Sequence, residues 1–201
     1  MVTDKLIPEQ VTGSEMNAQA EVSFDSLEEA IAFYHVAKNR LRSIDNWSEV
    51  CGTSATTFEL LNANGDDVGD FEVGSIIKID IPGPGTSLGG GYDWVRIEQI
   101  EGDDLNELSF GFRVRPCANP ENNAEDTAHF FTEKATSTFL VKRVENMVTA
   151  EMHGRNEEPN TKVSGFFDGL RNMAVGYSAK IGLSYPQWKL LVEGLVHTDG
   201  A

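Results

Sequence analysis

The alternation of apolar and polar side chains between residues 56 and 155 is the feature that most constrains the fold. In the segment 108–115, one set of alternate residues is Leu, Phe, Phe and Val, and the other is Ser, Gly, Arg and Arg. Successive side chains of a strand point to opposite faces, so this segment has one apolar and one wet face. Turn signals at Asn64-Gly65 and Glu145-Asn146 separate similar segments. The pattern predicts an antiparallel sheet of about six or seven strands.

Helical spacing flanks the strand region on both sides. Ser26 followed by Glu29 is a capping box, and it begins a helix whose apolar residues recur at three- and four-residue steps. Residues 163–181 show the same spacing, Gly182 ends that segment, and Pro186 begins another helix. We therefore predict an α+β fold: a twisted antiparallel sheet with an N-terminal helix and two C-terminal helices.

The domain organisation follows from length and local composition. A chain of 201 residues suits one domain. Residues 1–20 are polar and show no periodicity, so we predict a flexible N-terminal arm there. Residues 21–201 contain no linker-like stretch and no internal repeat, and we predict that they form a single α+β domain.

The charge of the chain excludes several classes of partner. Acidic side chains outnumber basic ones 32 to 16, which gives a formal charge of −16. Phosphate backbones and anionic lipids attract basic surfaces, so we expect neither nucleic acid nor membrane as a partner. No signal-like or membrane-spanning apolar run is present, and Cys51 and Cys117 lack paired spacing. We expect a cytoplasmic protein with reduced thiols and no cofactor.

Histidines and carboxylates offer one conceivable metal site. His129 and His153 could meet if their strands are neighbours, with Glu151 or Glu157 nearby. Two histidines and a carboxylate suit zinc or iron. The sequence alone does not bring these side chains together, and we predict no metal site.

The order of elements resembles the helix-grip fold of the START and Bet v 1-like (SRPBCC) superfamily. The similar pieces are Ile77–Ile81 with the loop 82–85, the strand 92–98, Leu108–Arg113, the hairpin Phe139–Met152 and the helix Val163–Ile181. The resemblance covers residues 21–182, although Gly182–Pro186 interrupts a helix that is usually one rod in that family. It implies a cavity between sheet and helix. Binders and enzymes share the fold, so activity stays open.

We therefore predict a protein that binds a small apolar or amphipathic ligand between the sheet and the helix 163–181. The candidate wall consists of aromatic side chains from the strands and from that helix: Trp94, Phe110, Phe112, Phe139, Phe167 and Tyr177. Arg96 or Arg155 would orient the polar end of the ligand.

Two other functions are compatible with the sequence. An acidic interaction or structural domain without a small-molecule site would pair, for example as a homodimer, through an apolar patch that includes Tyr185 and Trp188. An enzyme would need paired titratable groups that face a cavity. The sequence does not orient His129, Glu98 or Asp93, so it leaves catalysis undecided.

Overall fold

The computed structural model describes residues 2–52, 56–66, 71–81, 89–104, 107–122, 125–160 and 185–198. Its seven strands are β1 (Ser14–Ser23), β2 (Thr57–Leu61), β3 (Ile76–Asp80), β4 (Asp93–Asp104), β5 (Glu107–Pro116), β6 (Thr136–Val144) and β7 (Met147–Glu157). Its α-helices are α1 (Leu27–Arg42), α2 (Trp47–Val50) and α3 (residues 185–195). Short 3₁₀ helices cover Val2–Leu6 and Ile44–Asn46.

All seven strands belong to one antiparallel sheet with the order β1-β7-β6-β5-β4-β3-β2. Every pair of neighbours is consecutive in the chain except β1 and β7. The chain therefore crosses from β1 at one edge to β2 at the other, and α1 and α2 make that crossing. The predicted α+β fold with six or seven strands is confirmed, whereas the predicted helix 163–181 lies outside the described residues.

The first helix forms as its capping box predicts. The Ser26 hydroxyl accepts from the Glu29 backbone N–H at 3.2 Å, and the Glu29 carboxylate accepts from the Ser26 N–H at 3.1 Å. These bonds satisfy two backbone donors that a helix N-terminus otherwise leaves open. The apolar side of α1, including Phe33 and Leu41, is buried against the sheet.

We call the face of the sheet that α1, α2 and α3 cover the inner face. It carries the main core, in which Phe112 of β5, Phe139 of β6 and Met152 of β7 are buried together with Leu191 and Val192 of α3. The opposite, outer face is largely polar. There Glu98 accepts from both Arg113 and Arg115. The alternation predicted from the sequence thus corresponds to one apolar and one mostly wet face.

Helix α3 lies unusually close to α2. A Cβ atom on Gly194 would collide with the backbone carbonyl oxygen of Val50, so only glycine permits this approach. Arg40 of α1 reinforces the contact, because its guanidinium donates to the carbonyl oxygen of His197 at 2.5 Å, just past the end of α3. Within the described residues, none of the helices has the length and apolar content needed to cross a bilayer.

The N-terminal segment differs from the predicted arm. Residues 14–20 belong to β1, which pairs with β7 along its length. Leu6 is fully buried on the outer face, and its carbonyl oxygen accepts from Arg113 at 2.9 Å. Asp4 adds an ion pair with Lys142 at 2.7 Å. The inner-facing side chains of β1 are apolar at Met16, Ala18, Ala20 and Val22, and they alternate with polar side chains on the outer face, so a period of two is present in the sequence here.

Candidate ligand-binding site

Two small adjoining cavities lie on the inner face of the sheet, with volumes of about 30 and 20 Å³. Both are lined by Val95 of β4, Val114 of β5 and Ser137 of β6, together with His129 from the loop before β6. Because they share these four residues, we treat them as one site and call it the inner-face cavity. It is our candidate functional site.

One end of the inner-face cavity is aromatic. Trp47, Phe139 and Trp188 line it, together with two isoleucines of β3. The Trp47 ring lies 5.0 Å from the Phe139 ring, and the Phe139 ring lies 5.3 Å from that of Trp188. The Trp47 indole N–H donates to the Leu41 carbonyl at 3.1 Å, which satisfies its polar atom inside the core. This end offers apolar surface to a ligand.

The other end is polar, because Glu157 of β7 faces it. Strand β1 pairs Met16 with Gly154 and Ser14 with Glu157, so β7 has one extra residue in this interval. Such a β-bulge changes the direction of the following side chain. Asn156 adopts φ +56° there, in the left-handed region that Asn tolerates better than most residues. The bulge turns Glu157 to the inner face, where it is only 4% exposed.

The carboxyl group of Glu157 lies directly over Gly154. A Cβ atom on Gly154 would collide with Oε1 of Glu157, so the glycine leaves the space that the carboxyl group occupies. The Ser14 hydroxyl donates to Oε2 at 3.2 Å. Burial raises the pKa of Glu157 to about 6 from the ordinary 4.5, although the Ser14 hydrogen bond and the charge of Arg155 act in the opposite direction.

His129 is the second titratable group at the cavity. Its Nδ1 accepts from the backbone N–H of Phe131 at 2.9 Å, so the neutral imidazole carries its proton on Nε2. The ring stacks on Phe130, with centroids 4.4 Å apart. Asp93, at the start of β4, accepts from the Phe130 N–H at 3.2 Å and thereby fixes the same loop. The cavity thus has a carboxyl group at its polar end and an imidazole that borders both of its parts.

The predicted aromatic wall is only partly assembled at this cavity. Phe139 lines it. Phe112 packs against Phe139 with ring centroids 5.3 Å apart, one layer into the core. Phe110 lies farther along the inner face, where the Lys38 ammonium of α1 is 5.2 Å from its ring. Phe167 and Tyr177 lie outside the described residues.

Three of the predicted site residues, Trp94, Arg96 and Arg155, lie on the outer face of the sheet and not at this cavity. Trp94 and Arg96 alternate with Val95 along β4, so they point away from the cavity that Val95 lines. Trp94 is buried in a separate outer cluster with Leu61, Ile76 and Ala128. Arg155 precedes the bulge in β7, and its guanidinium donates to the Asn17 side chain at 2.8 Å. Neither arginine can orient a ligand on the inner face.

The other titratable candidates are also separated from the cavity. His153 lies on the outer face and hydrogen-bonds Glu151 at 2.9 Å, so it does not meet His129. Among the described residues, no group of three or more His, Cys, Asp or Glu side chains could hold a metal ion. Burial raises the pKa of both Cys51 and Cys117 to about 11, so both thiols are protonated at neutral pH.

Sequence reasoning missed the polar end and part of the aromatic end. Strand β7 continues past His153 to Glu157, where the bulge turns that side chain inward. The sequence pattern carries no signal for this inward turn, because strict alternation places Glu157 with Arg155 on the outer face. In the alternative of an interaction domain, Trp188 belongs to an apolar patch with Tyr185. It instead points inward onto Phe139, while Tyr185 is 46% exposed.

Comparison with known proteins yields likeness in structure only. No protein-family model and no curated protein matches the chain. The Zhui aromatase/cyclase from Streptomyces sp. R1128 matches with a TM-score of 0.48 and 10% identity, over 91% of this chain and 92% of that one. Hypothetical protein jhp0584 from Helicobacter pylori matches with a TM-score of 0.47 and 12% identity, over 94% and 91%.

Norcoclaurine synthase from Thalictrum flavum is a further match, with a TM-score of 0.38 and 11% identity, over 87% of this chain and 98% of that one. The aromatase/cyclase and the synthase belong to the START and Bet v 1-like superfamily, so the family named from element order is present among the structural matches. This likeness concerns the fold, and the function is argued below from the inner-face cavity alone.

Proposed function

We propose that this protein binds a small apolar or amphipathic molecule in the inner-face cavity. The observation that carries the proposal is that a buried carboxyl group and an imidazole line a cavity together with apolar and aromatic side chains. Ligand sites combine a mainly apolar lining with a few polar groups that orient the bound molecule. Glu157 and His129 take that orienting role here, in place of the arginines expected from the sequence.

The size of the cavity bears on which part of a ligand it holds. Pockets for drug-sized ligands usually have volumes of at least ~300 Å³. The two described cavities, about 30 and 20 Å³, suit a polar group and a few adjoining carbon atoms. In this proposal the rest of a larger ligand extends beyond the two cavities. The sequence predicts a helix over residues 163–181, and that helix would form the second wall of the binding site.

Cavity filling tests the proposal. Val114 lines both cavities, so Val114→Phe should occupy them, and the binding of Nile red, a neutral apolar probe, should weaken by about tenfold or more. Val144→Phe is the matched control, because Val144 lies at the end of β6 and is 44% exposed. Circular dichroism shows whether both variants fold. A folded Val114→Phe variant that binds Nile red like the unmodified protein would contradict the proposal.

A further inference from the structure

The first strand leaves one of its two edges open. β1 is the outermost strand of the sheet, with β7 on one side and, among the described residues, no strand on the other. It is ten residues long and contains neither proline nor lysine, two of the residues that protect sheet edges in natural proteins. The strand at the opposite edge, β2, has only five residues. The open edge of β1 is therefore the part of the sheet best suited to pair with another strand.

The register of β1 on β7 shows which backbone groups face the open edge. The Phe24 N–H donates to the Asn146 carbonyl oxygen at 2.9 Å, just past the end of β1. In an antiparallel pair, hydrogen-bonded positions alternate with positions whose backbone groups point away from the partner. The even-numbered residues in 16–22 therefore bond β7, and the odd-numbered residues in 17–23 direct their N–H and C=O groups to the open edge.

A second copy of β1 fits this edge in a register that keeps like charges apart. When a twofold axis places Gln19 opposite its own copy, two antiparallel β1 strands pair over residues 15–23, and Asn17 lies opposite Glu21. Moving the axis one residue towards the N-terminus would place Glu15 opposite Glu21, and like charges in opposite positions are destabilising. Moving it the other way shortens the paired segment.

Charged side chains on the outer face complement the same register. The Arg155 guanidinium donates to Oδ1 of Asn17 at 2.8 Å, and Nδ1 of His153 lies 2.7 Å from that oxygen. Directly opposite side chains in an antiparallel pair have Cβ atoms about 5 Å apart. The Glu21 carboxylate of one copy would therefore lie beside Asn17 of the other copy, within reach of Arg155, whose side chain is 13% exposed.

We propose that two copies of this chain pair through β1 and form a twofold-symmetric dimer with a continuous sheet of fourteen strands, seven from each copy. On the inner side, Met16 of one copy lies opposite Val22 of the other. Both are only partly buried in the single chain, so pairing removes further apolar surface from water. The inference goes beyond the proposed function, because no residue of β1 lines the inner-face cavity.

Sedimentation equilibrium of the unmodified protein tests the dimer. At about 0.15 M salt, charges farther apart than ~8 Å are largely screened, so the formal charge of −16 opposes pairing only weakly. We expect a monomer–dimer equilibrium between about 1 and 100 μM protein. Gln19→Pro removes an N–H that faces the open edge and bonds no group of β7, so it should raise the dimer Kd by about tenfold or more. Gln19→Ala keeps that N–H and is the matched control.

A cysteine at the twofold axis tests the register. Opposite Cα atoms in a hydrogen-bonded pair are about 5.5 Å apart, within the range that a disulfide spans. Gln19→Cys should therefore form a disulfide-linked dimer under mild oxidation. Glu15→Cys lies on the same exposed face but about 27 Å from its own copy, so it should not. The unmodified protein controls for Cys51 and Cys117.

Three results would each overturn the proposal: a monomer at about 100 μM protein, a folded Gln19→Pro variant that dimerises like Gln19→Ala, or cross-linking of Glu15→Cys instead of Gln19→Cys. With a monomer, the open edge would be left to a strand of a different protein. Circular dichroism shows whether the proline variant folds, and the cross-linking experiment does not depend on that variant.

Discussion

The buried carboxyl group of Glu157 makes a stability prediction that needs no ligand. Glu157→Gln replaces the carboxyl group with a neutral amide of nearly the same shape. In the folded protein the pKa of Glu157 is about 6, compared with an ordinary value of 4.5. A difference of about 1.5 pKa units corresponds to about 2 kcal/mol, since one unit corresponds to ~1.4 kcal/mol. The side chain is 4% exposed, so solvent screening reduces this figure little.

The sign follows from proton linkage. The folded protein binds the Glu157 proton more tightly than the unfolded chain does, so this group lowers stability as the pH rises from 4.5 to about 6. The penalty is fully present above that window and absent well below it. Glutamine carries no titratable proton. The free energy of unfolding of the Gln variant, minus that of the unmodified protein, should therefore increase by about 2 kcal/mol between about pH 4 and about pH 7.5.

Urea denaturation followed by far-UV circular dichroism measures this difference at each pH. Contributions from other carboxyl groups cancel because the comparison is between two chains that differ at one position. A constant offset in stability is compatible with the reasoning, since only the change with pH is predicted. A difference that stays flat across the window, or that decreases as the pH rises, would refute the inward, buried placement of Glu157.

Three further predictions concern parts of the fold that position the site. Leu6→Ala should lower the free energy of unfolding by about 2–5 kcal/mol in urea denaturation, whereas a loose arm would give no change. Gly194→Ala should lower the free energy of unfolding by ~1–3 kcal/mol and lower the melting temperature, because the added Cβ would collide with the Val50 carbonyl. An unchanged melting temperature would contradict the close approach of α3 to α2. For Glu151, burial raises the pKa, but its histidine and lysine partners outweigh burial and the pKa is lowered. Glu151→Gln should therefore destabilise the protein at about pH 7 and lose that effect as the pH falls below the ordinary 4.5, and a pH-independent difference would refute it.

Local signals made the elements of the fold predictable. The Ser26 capping box lies within four consecutive residues, and the alternation in β5 repeats at every second position, so neither depends on distant parts of the chain. The turn at Glu145-Asn146 is equally local, and Glu145 adopts φ +53° there. These patterns were sufficient to predict the class of fold and most of the strands.

The site was less predictable because it depends on backbone irregularity and on which face is covered. The alternation of side chains along a strand correctly places Trp94 and Val95 on opposite sides of the sheet. The position of α1 decides which of these two residues points towards the main core, and the alternation does not reveal that position. The bulge at Asn156 then shifts the alternation by one residue, so the Glu157 side chain lies on the inner face. A strictly alternating pattern places Glu157 with Arg155 on the outer face, so a sequence pattern cannot find the polar end of the cavity.

The three tryptophans test the central claim most directly. Trp47 and Trp188 line the inner-face cavity, while Trp94 is buried on the outer face and donates its indole N–H to Gly89 at 2.9 Å. In ¹H–¹⁵N NMR spectra, titration with Nile red should shift the indole signals of Trp47 and Trp188 and leave that of Trp94 in place. A shift confined to Trp94, or unchanged signals from all three indoles in excess Nile red, would contradict a ligand site on the inner face.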